Sequence, residues 1–232
     1  MTRPSHIVLL RHAHSLANEK AILAGRDNSV GLSGRGLNQA RMAKSELETL
    51  KISRIVVSPM LRARATIAPF VKAHPEIELI KDSGINEMEY GSWSGQPLSR
   101  LSKKPLWKTI QSSPSAVRFP EGESFLEMLA RSVESIHRLA KPGKTTLFVS
   151  HGDVIKAITA HFLSMHLDNF QRISIDPASI TRISLTDGMA HIHSVNSTAH
   201  LKEATDLDAL STLGGGAGST LKSAPKSRSG KI

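Results

Sequence analysis

The stretch His6-Ile7-Val8-Leu9-Leu10-Arg11-His12-Ala13-His14-Ser15 decides how this chain is read. Four consecutive branched aliphatic residues make a short, fully apolar run, the pattern of a strand buried on both faces. Arg11 and His12 stop it at once. The run is too short to span a membrane or to form the apolar part of a signal segment. Two more runs end the same way. Ile55-Val56-Val57 passes into Ser58-Pro59-Met60-Leu61-Arg62, and Thr145 to Val149 passes into Ser150-His151-Gly152-Asp153.

Between these runs the pattern changes to helical spacing. Ser33 can cap a helix from about 34 to 50, with Leu37, Ala40, Ala43, Leu47 and Leu50 on its apolar face. Residues 61–73 read as a second helix and 77–80 as a strand. Residues 84–122, rich in Gly, Pro, Ser and Trp, form a long and partly helical excursion, a lid or substrate segment. Residues 123–140 are amphipathic, with Phe125, Met128, Leu129, Val133, Ile136 and Leu139 on one face, and 153–165 read as a further helix. Segments 172–175, 180–185 and 189–195 read as consecutive β segments. Strands that alternate with helices predict an α/β fold with a mostly parallel central sheet flanked by helices, and the late strands predict an antiparallel edge. No internal repeat is present.

In a parallel sheet the three interrupted runs end at one edge, where ligands of such sheets bind. That edge would gather Arg11, His12, Arg62 and His151, with Ser15 and Asn18 nearby. Guanidinium forks match phosphate oxygens bidentately, and imidazoles serve as nucleophile, donor or proton carrier near neutral pH. A phosphoryl group in transit needs such parts and a general acid besides. No Gly-rich phosphate loop is present, which argues against a nucleoside triphosphatase.

The same residues carry a family resemblance. Leu10-Arg11-His12-Ala13-His14-Ser15-x-x-Asn18 resembles the RHG signature of the histidine phosphatase, or phosphoglycerate mutase-like, superfamily, branch 1. Leu32-Ser33-x-x-Gly36-x-x-Gln39-Ala40, Ser58-Pro59-Met60-Leu61-Arg62-Ala63-x-x-Thr66, Glu87-x-x-x-Gly91-x-Trp93-x-Gly95, Pro120-x-Gly122-Glu123-Ser124 and Ser150-His151-Gly152 follow in the family's order. The likeness runs from about residue 6 to 185, and within the family the chain looks most like a phosphomutase/phosphatase group from actinobacteria. The resemblance implies a three-layer fold and a phosphohistidine on His12. Arg11, Arg62 and His151 would hold the phosphoryl oxygens, with Asn18, Ser15 and Gly152 as further substrate contacts. Glu87, four residues before Gly91, would be the acid rather than Glu89. Neither metal nor cofactor is implied. Ala13 stands where the family usually has Gly, His14 where an acidic residue is common, and Ser15 where Thr is common.

The chain has 232 residues, no cysteine, nine aromatic residues and a net charge of +10. Without cysteine there is no disulfide framework, thiolate metal site or cysteine nucleophile. Four of the ten charges, Lys222, Lys226, Arg228 and Lys231, lie beyond the last acidic residue, Asp208. Residues 211–232 are Gly/Ser/Pro-rich without apolar periodicity, so 201–232 is expected to be a disordered basic tail behind one catalytic domain, 1–200. With the tail set apart, the excess charge suits a small phosphorylated substrate at least as well as nucleic acid, for which no binding signature appears. The expected partner is thus a phosphorylated metabolite, without membrane attachment, in the cytoplasm. The sequence is silent on substrate identity and oligomeric state.

The expected activity is hydrolysis of a small phosphomonoester, with phosphomutase transfer as the alternative. A second class of reading is a metal site, which His12 with His14, His161 with His166, and His191 with His193 invite. A third is a non-enzymatic phospho-ligand binder. The basic residues of the excursion, Arg100, Lys103, Lys104, Lys108 and Arg118, read either as contacts to a second anionic group or as a solvated face. Trp93 and Trp107 read as pocket walls or as loop anchors.

Overall fold

A computed structural model describes residues 3–201 and two short strands beyond them. Among the described residues, eight strands and seven α-helices follow in chain order: β1 (Ser5–Arg11), α1 (Leu16–Glu19), α2 (Gly34–Glu48), β2 (Ile52–Val57), α3 (Leu61–Ala73), β3 (Glu78–Lys81), α4 (Leu98–Leu101), α5 (Pro105–Ser112), α6 (Phe125–Leu139), β4 (Thr145–Ser150), α7 (Gly152–Phe162), β5 (Ile180–Thr186), β6 (Met189–Ser197), β7 (Ser211–Thr212) and β8 (Gly216–Ala217). Six strands form one sheet in the order β3-β2-β4-β1-β5-β6. The first four are parallel, while β5 pairs antiparallel with both β1 and β6. The expected antiparallel edge is therefore present.

Alternation along the strands builds two cores. Ile7 and Leu9 of β1, Val56 of β2 and Phe148 of β4 face one side, where they join residues of α6 and α7. Val8 and Leu10, Ile55 and Val57, and Leu147 and Val149 face the other, with residues of α2 and α3. Helices on both faces of a sheet give the three-layer α/β arrangement expected from the alternation of patterns. Each such aliphatic side chain removed from water contributes about 1.5–3 kcal/mol.

Three expectations are corrected. The stretch 172–175 is not a strand, although Ile173 and Ile175 are buried. Its main chain is satisfied outside any ladder: the Ile175 carbonyl accepts from Arg11, and the Asp176 N–H that follows donates to Asn196 Oδ1. Leu37 does not face the core but is 50% exposed. The buried stripe of α2 is Gly36, Gln39, Ala40, Ala43 and Leu47, and it ends before Leu50. Gly36 sets that stripe, because a Cβ there would lie 1.9 Å from the His14 carbonyl oxygen. On α6, Ser132 and Ser135 are buried while Leu129 and Val133 are only partly so.

The excursion from 84 to 122 is anchored rather than loose. Ile85, Met88, Tyr90, Trp93, Leu101, Ile110, Val117 and Phe119 all belong to the larger core. Tyr90 and Trp93 each meet Phe119 edge to face, at 5.0 and 5.4 Å between centroids. Trp107 packs against the same core, and Lys104 sits over the Trp93 ring. Arg100, Lys103 and Lys108 are exposed, and Arg118 pairs with Glu127. At the far end of the chain, Leu201 is buried, so the described domain reaches at least that residue. The tail expected over 201–232 otherwise lies outside the described residues, apart from β7 and β8, which pair antiparallel. Among the described residues no helix is long and apolar enough to cross a membrane.

Candidate active site

The carboxyl ends of β1, β2 and β4 bring Arg11, His12, Ser58 and His151 together, and Arg62 enters from the first turn of α3. Main-chain bonds carry the ladder past the strand ends. The N–H of His12 donates to Ser150 O at 2.9 Å, that of Ser58 to Val149 O at 3.0 Å, and that of Arg11 to Ser179 O at 3.1 Å. The His12 and His151 rings lie 5.2 Å apart between centroids. Glu87, from the irregular stretch after the short helical turn Ser83–Ile85, reaches in beside them. Its Oε2 is 3.4 Å from His151 Nδ1 and 3.6 Å from a guanidinium nitrogen of Arg62. All six residues are buried.

Hydrogen bonds fix both imidazole tautomers. His12 Nδ1 lies 2.8 Å from the Ala13 carbonyl, which can only accept. The proton is therefore on Nδ1, and Nε2 carries the free lone pair. The Ser58 hydroxyl donates to Asn86 Oδ1 at 3.1 Å, and that oxygen also accepts the Glu87 N–H at 3.0 Å. With its one proton so placed, Ser58 Oγ must accept at 2.8 Å from His151 Nε2–H. His151 Nδ1 is then the bare nitrogen that faces Glu87. Asparagine and histidine orientations of this kind follow from the bonding network.

The electrostatics push proton affinities apart. Burial, helped by Arg62 and Arg11, holds the His12 imidazole well below its ordinary range, so the ring is neutral. His151 is lowered in the same way, by burial first and Arg62 next. Burial pushes the Glu87 carboxyl up to about 7, against the opposing pull of Arg62. Burial also lowers Arg11 to about 10, still charged at neutral pH. Arg62 is held by the carbonyls of Gly25, at 2.7 Å, and Asp27, at 3.3 Å. The set thus offers a neutral imidazole with a free lone pair, two fixed cations and a carboxyl that is half protonated near pH 7.

Other residues singled out from the sequence fall around this cluster. Ser15 caps α1: its hydroxyl accepts the Asn18 N–H, while its own N–H and hydroxyl donate to Asn18 Oδ1. Gly152 opens α7 directly after His151, at the helix end that favours anions. Ala13 is fully buried, with its N–H on Thr66 Oγ1 at 2.8 Å. His14 turns away to Ser33 Oγ at 2.8 Å. Glu89 is partly exposed and paired with Arg26.

His12, Glu87 and His151 place their donor atoms within 4.8 Å of one another, a spacing a metal ion could use. Charge from Arg11 and Arg62 in the same space favours an anion over a cation. The pairs His161 with His166 and His191 with His193 do not join this group. Sequence reading missed the supporting residues: Ser58 and Asn86 behind His151, Arg26 and Arg131 on the Glu87 carbonyl, and Tyr90, whose hydroxyl donates to Asp153 at 2.8 Å. The signal for the last was visible, since Asp153 and Lys156 are charges inside an otherwise apolar helix.

Known proteins share this fold, at 22–28% sequence identity. Phosphoserine phosphatase 1 of Hydrogenobacter thermophilus is 28% identical over 201 residues, which cover 85% of this chain and 94% of the relative. A 2,3-bisphosphoglycerate-dependent phosphoglycerate mutase of Gloeobacter violaceus is 24% identical over 178 residues, covering 73% and 81%. Among solved structures, Bacillus stearothermophilus YhfR superposes with a TM-score of 0.77 at 24% identity, over 85% of this chain and 99% of that one. The mycobacterial glucosyl-3-phosphoglycerate phosphatase bound to VO3 gives 0.74 at 22% identity, over 84% and 100%. The family description that matches residues 7–198 is the histidine phosphatase superfamily, branch 1, and the chain belongs to that superfamily.

Proposed function

We propose that this enzyme hydrolyses a small phosphorylated metabolite through a phosphohistidine on His12. The observation that carries the reading is the free Nε2 of a neutral, buried His12 set among two arginines, His151 and a carboxyl of raised proton affinity. In the first step His12 Nε2 attacks phosphorus in line. The N–P bond forms, the ester P–O bond breaks, and protonated Glu87 delivers its proton to the leaving oxygen. Arg11 and Arg62 neutralise charge on the non-bridging oxygens. A phosphate dianion draws a proton onto His151 Nδ1, which then donates to an oxygen. Gly152 and Asn18 add donors at the rim, and Ser15 acts through Asn18 as its cap partner. In the second step Glu87, now ionised, takes a proton from water, the new P–O bond forms and the N–P bond breaks.

Relatives of both kinds support a second reading, phosphomutase transfer, in which a hydroxyl of the product replaces water. Cytoplasmic location belongs to the proposal too, as the place where phosphorylated metabolites occur. A panel of phosphomonoesters, assayed for both phosphate release and transfer, separates the readings. Rapid quenching should trap one acid-labile phosphoryl group on His12, and His12→Ala should lose trapping and turnover together. A variant that turned over like the wild type would end the proposal.

A further inference from the structure

Glu87 sits in a stretch, 86–90, without helix or strand, yet its carboxyl must meet a leaving oxygen within a few tenths of an ångström. The main chain there is held from two sides. The Glu87 carbonyl accepts from Arg26 Nε at 2.9 Å and from an Arg131 terminal nitrogen at 3.1 Å. The other terminal nitrogen of Arg131 donates to the Gly84 and Asn86 carbonyls, both at 2.8 Å.

Both guanidiniums are in turn fastened to one carboxylate. Glu123 accepts from Arg131 bidentately, at 2.9 and 2.6 Å, and from Arg26 at 3.0 Å. The same carboxylate accepts the Glu89 N–H at 2.8 Å, two residues past the acid. The Glu123 side chain is 14% exposed, which strengthens such charge-assisted bonds. Nearby, the chain at Gly91 (φ +52°) packs so closely on residues 120–122 that a Cβ would lie 2.0 Å from the Pro120 carbonyl oxygen. Every nitrogen of the Arg131 fork has a protein acceptor, so Arg131 serves the main chain and not a substrate.

We propose that Arg26, Glu123 and Arg131 are positioning residues that aim the Glu87 carboxyl at the leaving group. The proposal rests on reading Glu87 as the general acid. A brace that merely stabilised the fold would, on loosening, slow all substrates alike. In the phosphorylation step, which kcat/KM reports, a device that aims the acid acts only where the leaving group needs a proton.

The test compares the full-length enzyme on an alkyl phosphate and on 2,4-dinitrophenyl phosphate, whose leaving group needs no acid. Arg131→Lys should lose about tenfold in kcat/KM on the alkyl ester, a fraction of what general acid catalysis supplies, and change little in kcat/KM on the dinitrophenyl ester. Arg26→Ala, at a partly exposed position that tolerates truncation, should shift in the same direction by about threefold. It carries the test if the Arg131 variant fails to fold. Equal losses on both esters, or no loss on either, would overturn the positioning role. Glu87→Gln is the control: if it too lacks leaving-group dependence, the acid assignment itself falls, and the positioning role with it.

Discussion

The proposed nucleophile and the proposed acid are held in the site by two kinds of support. His12, Arg11 and His151 sit at the ends of parallel strands, where ladder bonds between β1, β2 and β4 leave the main chain no freedom. Glu87 stands on an irregular stretch of the excursion, outside any sheet, and side chains hold it: Arg26 and Arg131 at its carbonyl, both fastened to Glu123, and Tyr90 on Asp153 beyond it. A sheet edge fixes groups in common to every reaction of this chemistry. A side-chain brace can be altered residue by residue, so the timing and strength of proton delivery are the adjustable part.

Removal of the acid should break the comparison most sharply. Glu87→Gln should lower kcat/KM, which reports the phosphorylation step, on alkyl phosphates by about a hundred- to ten-thousand-fold and spare that of esters with good leaving groups. The wild-type rate on alkyl esters should fall as pH rises through about 7, where Glu87 ionises, and that limb should vanish in the variant. Stability changes with it. The folded carboxyl is raised above its ordinary value of 4.5, so its contribution is full below pH 4.5 and is lost as pH rises through about 7. The Gln variant lacks this loss, and its melting temperature should gain on the wild type between pH 5 and 8. A constant gap across that range would contradict a buried carboxyl of raised affinity.

On the sheet side, Ser58→Ala removes the acceptor that fixes the His151 tautomer and ring orientation. One lost hydrogen bond to a group that becomes charged corresponds to roughly tenfold in kcat. Unlike the acid variants, it should slow alkyl and dinitrophenyl esters equally, because in the proposed mechanism His151 serves the phosphoryl oxygens and not the leaving group. A loss confined to alkyl esters would place Ser58 with the acid and erase the distinction between the two regions.

The sheet half was the legible half. Apolar runs that end in Arg11-His12, Ser58 and Ser150-His151 announce both strands and chemistry, because a buried strand tolerates no charge until it emerges at its edge. The boundaries of α3 and the antiparallel edge followed from pattern alone. Helix-face errors such as Leu37 arose because Gly36 and Gln39, neither of them apolar, define the buried stripe of α2. The segment 172–175 misled for a related reason: alternating burial looks like a strand even where Arg11 and Asn196 satisfy the main chain in place of a ladder. Glu87 was singled out through the family resemblance, but its support was not. Arg26, Glu123 and Arg131 lie far apart in sequence, and nothing local says that three elements converge on one carbonyl.

The smallest expected effect tests how far that support extends. Glu89 is two residues from the acid and pairs with Arg26 at 3.1 Å, so neutralising it reaches toward the same brace. Its side chain is 36% exposed, however, and exposed ion pairs contribute about 0.2–1 kcal/mol. Arg26 keeps Glu123 and the Glu87 carbonyl as partners when Glu89 is neutral, and the Glu89 main chain keeps both of its bonds to Glu123. Glu89→Gln should therefore change kcat on alkyl esters by less than about twofold, the remnant of a weakly coupled surface pair. The rate against leaving group should keep its slope, and the fall near pH 7 should stay in place. A loss as deep as that of Glu87→Gln, with the same leaving-group dependence, would move the acid role to Glu89 and leave the brace holding the wrong carboxylate.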